Sequence, residues 1–414
     1  MAKIMAVNAG SSSLKFQLLE MPAEEVIAQG LIERIGMDDA IITIKYQNDG
    51  SVVASDDITL SDDGKKAKFK VVAPVKDHQV AINVMLKHLS ELGIIENLDE
   101  IVGVGHRVVS GGEWFNSSVI VDEEVLHKIE RLAAYAPLHN PANAMGIRAF
   151  QKILPHAVSV AVFDTSFHQT MPKVNYLYSL PYQYYTRYGA RKYGAHGTSH
   201  RYVAHRAAEM LERDINDLKL ITLHLGAGAS ATAVQNGKSY DTSMGFTPMA
   251  GLTMATRVGD VDASLINYIQ EHEHLSNEEM MDVLNKKSGL LGISTISSDM
   301  RDLEAVRDTN EHANLAIDIF VNRVVRYVGQ YIAEMNGADA IIFTAGIGEN
   351  GYEVRKEIID KLSYFGVEID DAKNTGMRDE AIVSTDDSKI KVLVVPTNEE
   401  LMIARDVQTL MGEK

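Results

Sequence analysis

Short runs of apolar and β-branched residues alternate along the chain with longer segments in which apolar residues recur every three or four positions. The first pattern predicts strands and the second predicts amphipathic helices, and their alternation is typical of an α/β protein. The predicted strands are residues 3–7, 16–20, 41–46, 101–104, 158–163, 220–225, 231–235, 340–343 and 391–395. The clearest helix has apolar residues from Ile317 to Met335 on one face, so we expect that face to lie in a core.

Three glycine-rich segments each follow a predicted strand directly. They are residues 8–15 (Asn-Ala-Gly-Ser-Ser-Ser-Leu-Lys), 224–230 (His-Leu-Gly-Ala-Gly-Ala-Ser) and 344–350 (Thr-Ala-Gly-Ile-Gly-Glu-Asn). After the first two, strand-like alternation resumes, which predicts a hairpin bent around a ligand and indicates an internal duplication. Glycine lacks Cβ and tolerates positive φ, so such a hairpin can present several backbone N–H groups to an anion. Phosphate is the anion that these segments suggest.

The glycine-rich segments are open to two other interpretations. Each segment alone fits an ordinary tight turn, but three together disfavour that interpretation. Residues 346–351 also match the dinucleotide fingerprint G-x-G-x-x-G, with Glu368 and Asp370 near the expected distance downstream. That motif comes late in the chain and leaves the other two segments unexplained. The sequence contains no G-x-x-x-x-G-K-[S/T], which excludes a P-loop.

Charged residues also occur in otherwise apolar or glycine-rich surroundings. Arg107 lies in residues 105–112, between glycines that follow a predicted strand, and Arg257 lies in residues 253–260. A guanidinium there is expected to bind carboxylate or phosphate rather than to lie on the surface. Asp164 ends the strand 158–163, where α/β proteins place ligand-facing groups, so a metal or general-base role is predicted.

Histidines recur in turn-rich segments. His139 lies between two prolines, and His196 precedes a glycine, whereas His168 and His200 are expected to be structural. The spacing of His196 and His200 is that of a zinc helix, but Gly197 interrupts it and no glutamate follows His196, so a zinc site is not expected.

Residues 396–402 are predicted to begin the last helix. Thr397 and Glu400 have the spacing of a capping box. Glu399 is then available for another role.

Composition restricts the classes of partner. The 414 residues suggest two domains, and no apolar run approaches the length of a membrane span, so a soluble protein is expected. The first residues lack the apolar core of a signal peptide, and cysteine is absent, which together favour the cytoplasm. A net charge of −17 disfavours nucleic acid and anionic membranes as partners. Any anionic substrate must therefore be held by local positive groups.

In the same order along the chain, these segments resemble those of the acetate kinases of the acetokinase family of acyl kinases. Residues 4–15 and 224–237 resemble the two family signatures, and further likeness covers residues 105–112, 137–141, 163–168, 193–200, 241–260, 298–303, 343–350 and 396–405. The resemblance implies the fold of the sugar kinase, heat-shock ATPase and actin superfamily, which has two duplicated, ribonuclease H-like α/β domains and an active site in the cleft between them. We expect residues 1–165 and 385–414 to form the N-terminal domain and residues 166–384 to form the nucleotide-binding one. The resemblance also implies a homodimer.

The resemblance implies a role for individual residues. Asn8 and Glu399 would hold Mg²⁺, with Mn²⁺ as an alternative, and Asp164, His196 and Arg257 would be catalytic. The acyl substrate would contact Arg107, Val109, Leu138, His139 and Pro248. The nucleotide would contact Ser11, Ser13, Lys15, His224, Leu225, Gly226, Ala227, Gly228, Asp299, Met300, Arg301, Gly346, Ile347, Gly348, Glu349 and Asn350.

The implied activity is reversible, ATP-dependent phosphorylation of acetate to acetyl phosphate and ADP by direct in-line transfer. Ala195 departs from the family pattern, where phenylalanine is frequent, and a smaller side chain could enlarge the acyl site enough for propionate. Ser110 and Ala227 also depart from the family pattern, but neither departure affects a residue for which the resemblance implies an essential role. A switch ATPase of the same superfamily, which needs no carboxylate substrate, is a further alternative.

Overall fold

The computed structural model describes residues 2–48, 50, 52–136 and 139–412. The chain divides into two compact units, one made of Met1–Ser166 and Asn398–Lys414 and the other of Phe167–Thr397. Each unit contains one β-sheet with helices packed against it. The predicted α/β class is therefore confirmed.

The first unit is built on a nine-stranded sheet with the order β5-β6-β4-β3-β2-β1-β7-β9-β8. Its strands are β1 (Ala2–Ala9), β2 (Ser13–Met21), β3 (Glu25–Glu33), β4 (Met37–Gln47), β5 (Ile58–Leu60), β6 (Lys66–Val75), β7 (Ile101–Val108), β8 (Val119–Ile120) and β9 (Val158–Phe163). β1 is antiparallel to β2 and parallel to β7, which is in turn parallel to β9. The carboxyl ends of β1, β7 and β9 therefore lie at one edge of the sheet.

The second unit contains a six-stranded sheet with the order β12-β11-β10-β13-β15-β14. Its strands are β10 (Lys219–Leu225), β11 (Ala229–Gln235), β12 (Lys238–Thr242), β13 (Ala340–Thr344), β14 (Ala381–Ile382) and β15 (Lys391–Val394). Five adjacent strands of this sheet, β12-β11-β10-β13-β15, have the same order and directions as β3-β2-β1-β7-β9 in the first sheet. This repeat supports the internal duplication that the glycine-rich hairpins suggested.

Fifteen α-helices pack around the two sheets in the described part of the chain. They are α1 (His78–Glu91), α2 (Glu123–Arg131), α3 (Asn140–Ile153), α4 (Lys173–Tyr176), α5 (Tyr182–Tyr188), α6 (Gly197–Met210), α7 (Ala263–Glu273), α8 (Asn277–Lys286), α9 (Gly289–Ser294), α10 (Met300–Val306), α11 (Glu311–Glu334), α12 (Ala345–Asn350), α13 (Tyr352–Asp360), α14 (Asp371–Asn374) and α15 (Glu399–Gly412). α11 carries the predicted apolar stripe, and that stripe is buried. None of these helices is long and apolar enough to cross a membrane.

The last helix, α15, belongs to the first unit, where it packs on β1, β2, β7 and β9. Residues 385–397, which the sequence groups with the N-terminal domain, instead belong to the second unit, because β15 pairs with β13. The predicted capping box is wrong. Asn398 accepts from the backbone N–H of Leu401 at 3.0 Å, whereas the Thr397 hydroxyl lies 2.8 Å from the hydroxyl of Ser199.

Two glycines of β7 let α15 lie directly on the sheet. A Cβ at Gly105 would lie 2.3 Å from Ile403 Cγ2, and a Cβ at Gly103 would lie 2.6 Å from Val407 Cγ1. Real Cβ atoms do not approach other atoms so closely, so any larger residue would displace the helix. The glycines thereby determine where Glu399, at the start of α15, is held.

We expect Gly105→Ala to lower the free energy of unfolding by about 1 to 3 kcal/mol, because the new methyl group overpacks the contact with α15. Any activity that depends on Glu399 should fall as well, since the displaced helix carries that residue. Gly329→Ala is the matched control, because nothing lies within 4 Å of a Cβ at that position in α11. Urea unfolding and steady-state kinetics measure both effects. A Gly105→Ala protein as stable and active as Gly329→Ala would contradict this role of Gly105.

Candidate functional site

In the first unit, an arginine on β7 pairs with the aspartate that follows the neighbouring parallel strand β9. The Arg107 Nε donates to Asp164 Oδ1 at 3.0 Å, and its Nη2 donates to Asp164 Oδ2 at 2.7 Å. Asp164 immediately follows β9 and is 1% exposed, with its backbone N–H bonded to Val108. The structure thus brings together two residues that the sequence singled out separately.

The pairing leaves one edge of the Arg107 guanidinium for a ligand. Asp164 occupies the edge formed by Nε and Nη2, and Nη1 has no hydrogen-bond partner within the described residues. A guanidinium carries five N–H donors in a rigid plane, so the Nη1–Nη2 edge can still bind a second carboxylate with two hydrogen bonds. The charges of Asp164 and Glu399 raise the pKa of Arg107, which ensures that it is cationic.

The start of α15 adds two glutamates to this group. Lys15 Nζ pairs with Glu400 at 2.5 Å, whereas Glu399 Oε1 is buried without a hydrogen-bond partner among the described residues. Burial raises the pKa of Glu399 to about 7; the nearby Asp164 and Glu400 charges act in the same direction, and the Arg107 charge opposes them. A buried, unpaired carboxylate oxygen is costly, and a bound cation would relieve that cost.

The two predicted metal ligands, Asn8 and Glu399, are of the chemical type that binds magnesium. Asn8 lies near the end of β1, opposite Lys15 in the hairpin register, and can offer an amide oxygen, while α15, which begins at Glu399, packs on β1. No group of three or more acidic, histidine or cysteine side chains suited to a metal occurs among the described residues. Magnesium commonly binds one or two carboxylates and takes its other ligands from water and substrate phosphates, so two protein ligands are sufficient.

The first glycine-rich segment forms the predicted hairpin between β1 and β2. The Gly10 N–H donates to the Ser13 carbonyl at 2.9 Å, Ser11 is exposed, and the Lys15 side chain is 56% exposed. Sequence reasoning missed two buried residues that hold this hairpin. Asn143 donates to the Ala9 carbonyl and accepts from the Val109 N–H, and His78 Nε2 lies 2.6 Å from the Gly10 carbonyl. Neither residue has a local sequence signal, because each lies within an ordinary helix.

Two further predicted substrate contacts lie near the start of α3. His139 precedes that helix and is exposed, and the backbone N–H of His139 bonds to the Ala136 carbonyl. Leu138 lies outside the described residues.

In the second unit, His196 marks the start of α6 and lies in the left-handed region, with φ of 55°. Its ring stacks on the ring of His224, with 4.0 Å between centroids, and its Nδ1 lies 2.9 Å from Ser230 Oγ. His200, the next histidine on α6, is buried and also contacts Ser230. Because both histidines contact serine hydroxyls, the zinc interpretation receives no support.

Arg257 lies beside the second glycine-rich hairpin. A Cβ at Gly228 would lie 3.7 Å from Arg257 Nη1 and 3.5 Å from His196 Nε2, so all three residues are neighbours. Arg257 Nη1 donates to the Pro248 carbonyl at 3.0 Å, and no carboxylate of the described chain pairs with it. Burial lowers the pKa of Arg257, but an arginine remains charged at neutral pH. An uncompensated positive charge therefore lies next to a hairpin that can bind anions.

The third glycine-rich segment is a helix, α12, and not the predicted turn. Gly348 lies in van der Waals contact with the sheet, since a Cβ there would lie 3.4 Å from the carbonyl carbon of Phe343. The first turn of α12 is held by Glu349, which accepts from the backbone N–H groups of Ala345 and Thr397. A Cβ at Gly226 would lie 3.6 Å from Ala345, so the second hairpin and α12 are adjacent.

A buried arginine that sequence reasoning missed supports α12. Arg355 is fully buried and donates five hydrogen bonds, to the backbone carbonyls of Gly348, Glu349, Asn374 and Met377 and to the Asn374 side chain. Burial lowers its pKa to about 10. Its charge is thus balanced only by carbonyl dipoles, directly behind the segment predicted to bind nucleotide.

The other predicted nucleotide residues begin α10. Asp299 caps this helix and pairs with Arg301 at 2.6 Å, and Arg301 is 85% exposed. The Met300 side chain lies in the hydrophobic core. No hydrogen bond joins these residues to the glycine-rich segments in the part of the chain that is described.

The dinucleotide alternative finds no support in the structure. Asp370 caps α14 through the backbone N–H groups of Ala372 and Lys373, and Glu368 contacts Thr385. A ribose-binding acid would lie at the end of the next parallel strand. That strand is β15, and neither acidic residue belongs to it.

The two units therefore carry different chemical groups. The first provides a guanidinium edge for a carboxylate and an unpaired carboxylate for a cation, and the second provides a phosphate-type hairpin beside an unpaired arginine and a histidine. Two duplicated sheets that carry these groups are typical of a nucleotide-dependent phosphotransferase, the class of protein that fits the observations best.

The chain belongs to the acetokinase family, because the family model matches residues 3–405. It is 59% identical over 412 residues to an acetate kinase of Enterococcus faecalis, covering 99% of this chain and 100% of that protein. The crystal structure of Porphyromonas gingivalis acetate kinase matches with a TM-score of 0.91 at 42% identity, over 99% of this chain and 100% of that one. A Francisella tularensis propionate kinase matches with a TM-score of 0.87 at 40% identity, with the same coverage.

Proposed function

We propose that this chain transfers the γ-phosphoryl group of ATP to acetate in one reversible, in-line step that gives acetyl phosphate and ADP. The observation that carries the proposal is the half-buried Arg257 beside Gly228 and His196, with no carboxylate partner among the described residues. Phosphoryl transfer needs little covalent help from the protein, and depends on positioning and on neutralising charge at the equatorial oxygens. Arg257 and His196 supply that neutralisation.

Acetate binds at the Nη1–Nη2 edge of Arg107, which Asp164 leaves available. The Asp164 carboxylate fixes the plane of the guanidinium, and its own proton chemistry is not required, because an ionised acetate is already a nucleophile. Asp164 therefore orients the substrate through Arg107 and does not act as a strong base.

Asn8 and Glu399 hold Mg²⁺ in this proposal, and the ion supplies charge neutralisation for the triphosphate when bound. The unpaired Glu399 Oε1 supports this role. Ser11, Ser13 and Lys15 of the first hairpin contact phosphate, and residues 224–228, 299–301 and 346–350 contact the nucleotide. The two compact units correspond to the two actin-like domains implied by the sequence.

The homodimer and the cytoplasmic location are also part of the proposal. Large apolar side chains are exposed around α4 and α5, including Val174 at 82%, Tyr188 at 62% and Leu180 at 57%. Exposed apolar surface of this kind is typical of a protein interface, and a second copy of the chain is the partner that we propose for it.

Acetate-dependent formation of ADP tests the function. Purified protein with ATP and Mg²⁺ should release ADP rapidly only when acetate is present. Equal ADP release with and without any carboxylate would instead favour the switch ATPase.

Ala195 makes propionate a second substrate to test. Its side chain is 3% exposed and lies next to His196, where a phenylalanine is frequent in the family. We expect kcat/KM for propionate within about 100-fold of that for acetate, because one methylene changes selectivity by roughly 1 to 3 kcal/mol. Ala195→Phe should widen the difference. Propionate turnover below a hundredth of the acetate value in the unchanged protein would contradict the larger acyl site.

A further inference from the structure

A chain of hydrogen bonds runs from His196 into the core of the second unit. The His196 Nδ1 lies 2.9 Å from Ser230 Oγ, which lies 2.7 Å from His200 Nε2. On the other side of its ring, His200 Nδ1 lies 2.7 Å from Thr222 Oγ1, which lies 3.4 Å from the Thr232 carbonyl. Ser230, His200, Thr222 and Thr232 are all fully buried, so this relay has no access to bulk water.

The direction of the relay follows from counting its protons. Burial lowers the pKa of His200 well below its usual value, so this imidazole is neutral and carries one N–H. The Thr232 carbonyl can only accept. If Thr222 donates to it, then His200 donates from Nδ1, Ser230 donates to His200 Nε2, and His196 donates from Nδ1 to Ser230. All four contacts are then hydrogen bonds.

The reverse direction makes one hydrogen bond fewer. Thr222 would donate to His200, His200 to Ser230, and Ser230 to His196 Nδ1, which leaves the contact between Thr222 and the Thr232 carbonyl without a proton. Inside a protein, where water cannot replace a missing partner, the fully bonded arrangement is favoured.

We propose that Ser230 and His200 are positioning residues that fix a proton on Nδ1 of His196, so that His196 can donate from Nε2 only as an imidazolium. The proposal rests on the proposed function for its catalytic consequence. A neutral His196 with its proton on Nδ1 would present a lone pair from Nε2, which repels a phosphoryl oxygen. The cation presents an N–H and a positive charge to the same oxygen, which is what the transition state requires.

Other charged and titratable groups also face His196. His224 on β10 stacks on its ring, His200 lies one turn along α6, and Arg257 approaches the same side of Gly228. His224 is held separately, since its Nδ1 lies 2.8 Å from Ser199 Oγ. Burial lowers the pKa of His168 to about 4, and His168 bonds to Ser239 and to the Ala195 carbonyl, outside the relay.

The tautomer of His196 can be observed without any enzymatic assay. In the ¹⁵N-histidine-labelled wild-type protein, two-bond ¹H–¹⁵N correlations at alkaline pH should show the His196 proton on Nδ1 and a bare Nε2. His196→Gln identifies the resonance. A proton on Nε2 in the neutral wild-type ring would overturn the proposal, whatever substrate the enzyme uses. Failure of the proposed function would leave this readout unchanged, so the two can be distinguished.

Ser230→Ala tests the consequence for catalysis. Removing the hydroxyl releases Nδ1, so the neutral ring can place its proton on Nε2 and activity should persist to higher pH than in the wild type. At neutral pH, kcat should fall by about 2- to 10-fold, the range for one lost hydrogen bond, while KM for ATP changes little.

Ser239→Ala is the matched control for the loss of a buried serine–histidine hydrogen bond. Ser239 is buried and lies 2.8 Å from His168 Nδ1, but it does not contact His196. This variant should keep the wild-type pH profile and His196 tautomer. Identical alkaline limbs for the wild type and Ser230→Ala, with both proteins folded, would contradict the positioning role.

Discussion

Arg257→Ala should lower kcat by about 10²- to 10³-fold, the usual effect of removing one preorganised donor from a transition state. The half-buried guanidinium lies beside Gly228 and His196, and no carboxylate neutralises it among the described residues. The positive charge of Arg257 is therefore available to a bound anion. Because the interaction strengthens as charge develops on the transferred group, kcat should change more than KM for ATP. Steady-state kinetics with both substrates varied measures the two parameters.

The free energy of unfolding of the Arg257→Ala protein should change little, although its kcat falls strongly. Arg257 is half-buried and its charge is partly desolvated, so removing the charge relieves a desolvation cost and we expect little loss of stability in urea unfolding. Arg326→Ala, at an exposed position of α11, is the control for loss of an arginine elsewhere in the same unit. A kcat for Arg257→Ala equal to that of the control would remove Arg257 from the catalytic residues.

Arg107→Lys should raise KM for acetate by about 10- to 100-fold, because an ammonium group cannot bind two carboxylates with paired hydrogen bonds. In the native protein, Asp164 occupies one edge of the guanidinium and leaves the other available. A lysine would still pair with Asp164 through its charge, but it would lack the second pair of N–H donors that the guanidinium offers to acetate. The KM for ATP should change little, which separates substrate binding from a general loss of structure.

Arg148→Lys is the matched control for this change within the first unit. Arg148 also binds a carboxylate with two hydrogen bonds, to Glu130 on the surface, but it has no part in the proposed site. Its replacement should leave both KM values unchanged. An unaltered KM for acetate in Arg107→Lys would mean that the acid binds elsewhere.

The sequence predicted the strands and hairpins that form the centre of each sheet, because there buried apolar runs end directly in glycine-rich turns. Four strands of the first sheet, β3, β5, β6 and β8, were missed, and the two longest of them show why. β6 alternates lysines with buried residues such as Phe69, a period of two that the charged positions obscured. β3 contains Gly30, where a Cβ would lie 2.3 Å from Phe16, so packing against the neighbouring strand requires a glycine that locally resembles a turn.

Local sequence patterns also gave wrong predictions where two local structures suit the sequence equally well and tertiary contacts select one of them. Thr397 and Asn398 both suit a helix cap, and the structure uses Asn398 because the Thr397 hydroxyl contacts Ser199. Residues 344–350 resemble a turn, but Glu349 accepts hydrogen bonds from the backbone N–H groups of Ala345 and Thr397 and so stabilises the first turn of a helix.

The candidate site shows the same division between local and long-range information. Its charged residues were identifiable, because arginines and acids in glycine-rich or apolar surroundings stand out in a sequence. The pairing of Arg107 with Asp164 depends on adjacent strands that are 57 residues apart in the chain. The relay through Ser230 depends on α6 packing against β10, and the support of α12 by Arg355 depends on carbonyls from three segments. No local pattern carries such information.

Trapping of the acyl phosphate by hydroxylamine tests the central claim most directly, because it identifies the product. Purified protein is incubated with ATP, Mg²⁺ and hydroxylamine, together with acetate, propionate, butyrate or no acid, and the hydroxamate is measured beside the ADP. Phosphoryl transfer to the carboxylate predicts hydroxamate equal in amount to the ADP formed, greatest with acetate and absent without an acid. ADP release without hydroxamate would contradict it and would indicate a hydrolytic ATPase.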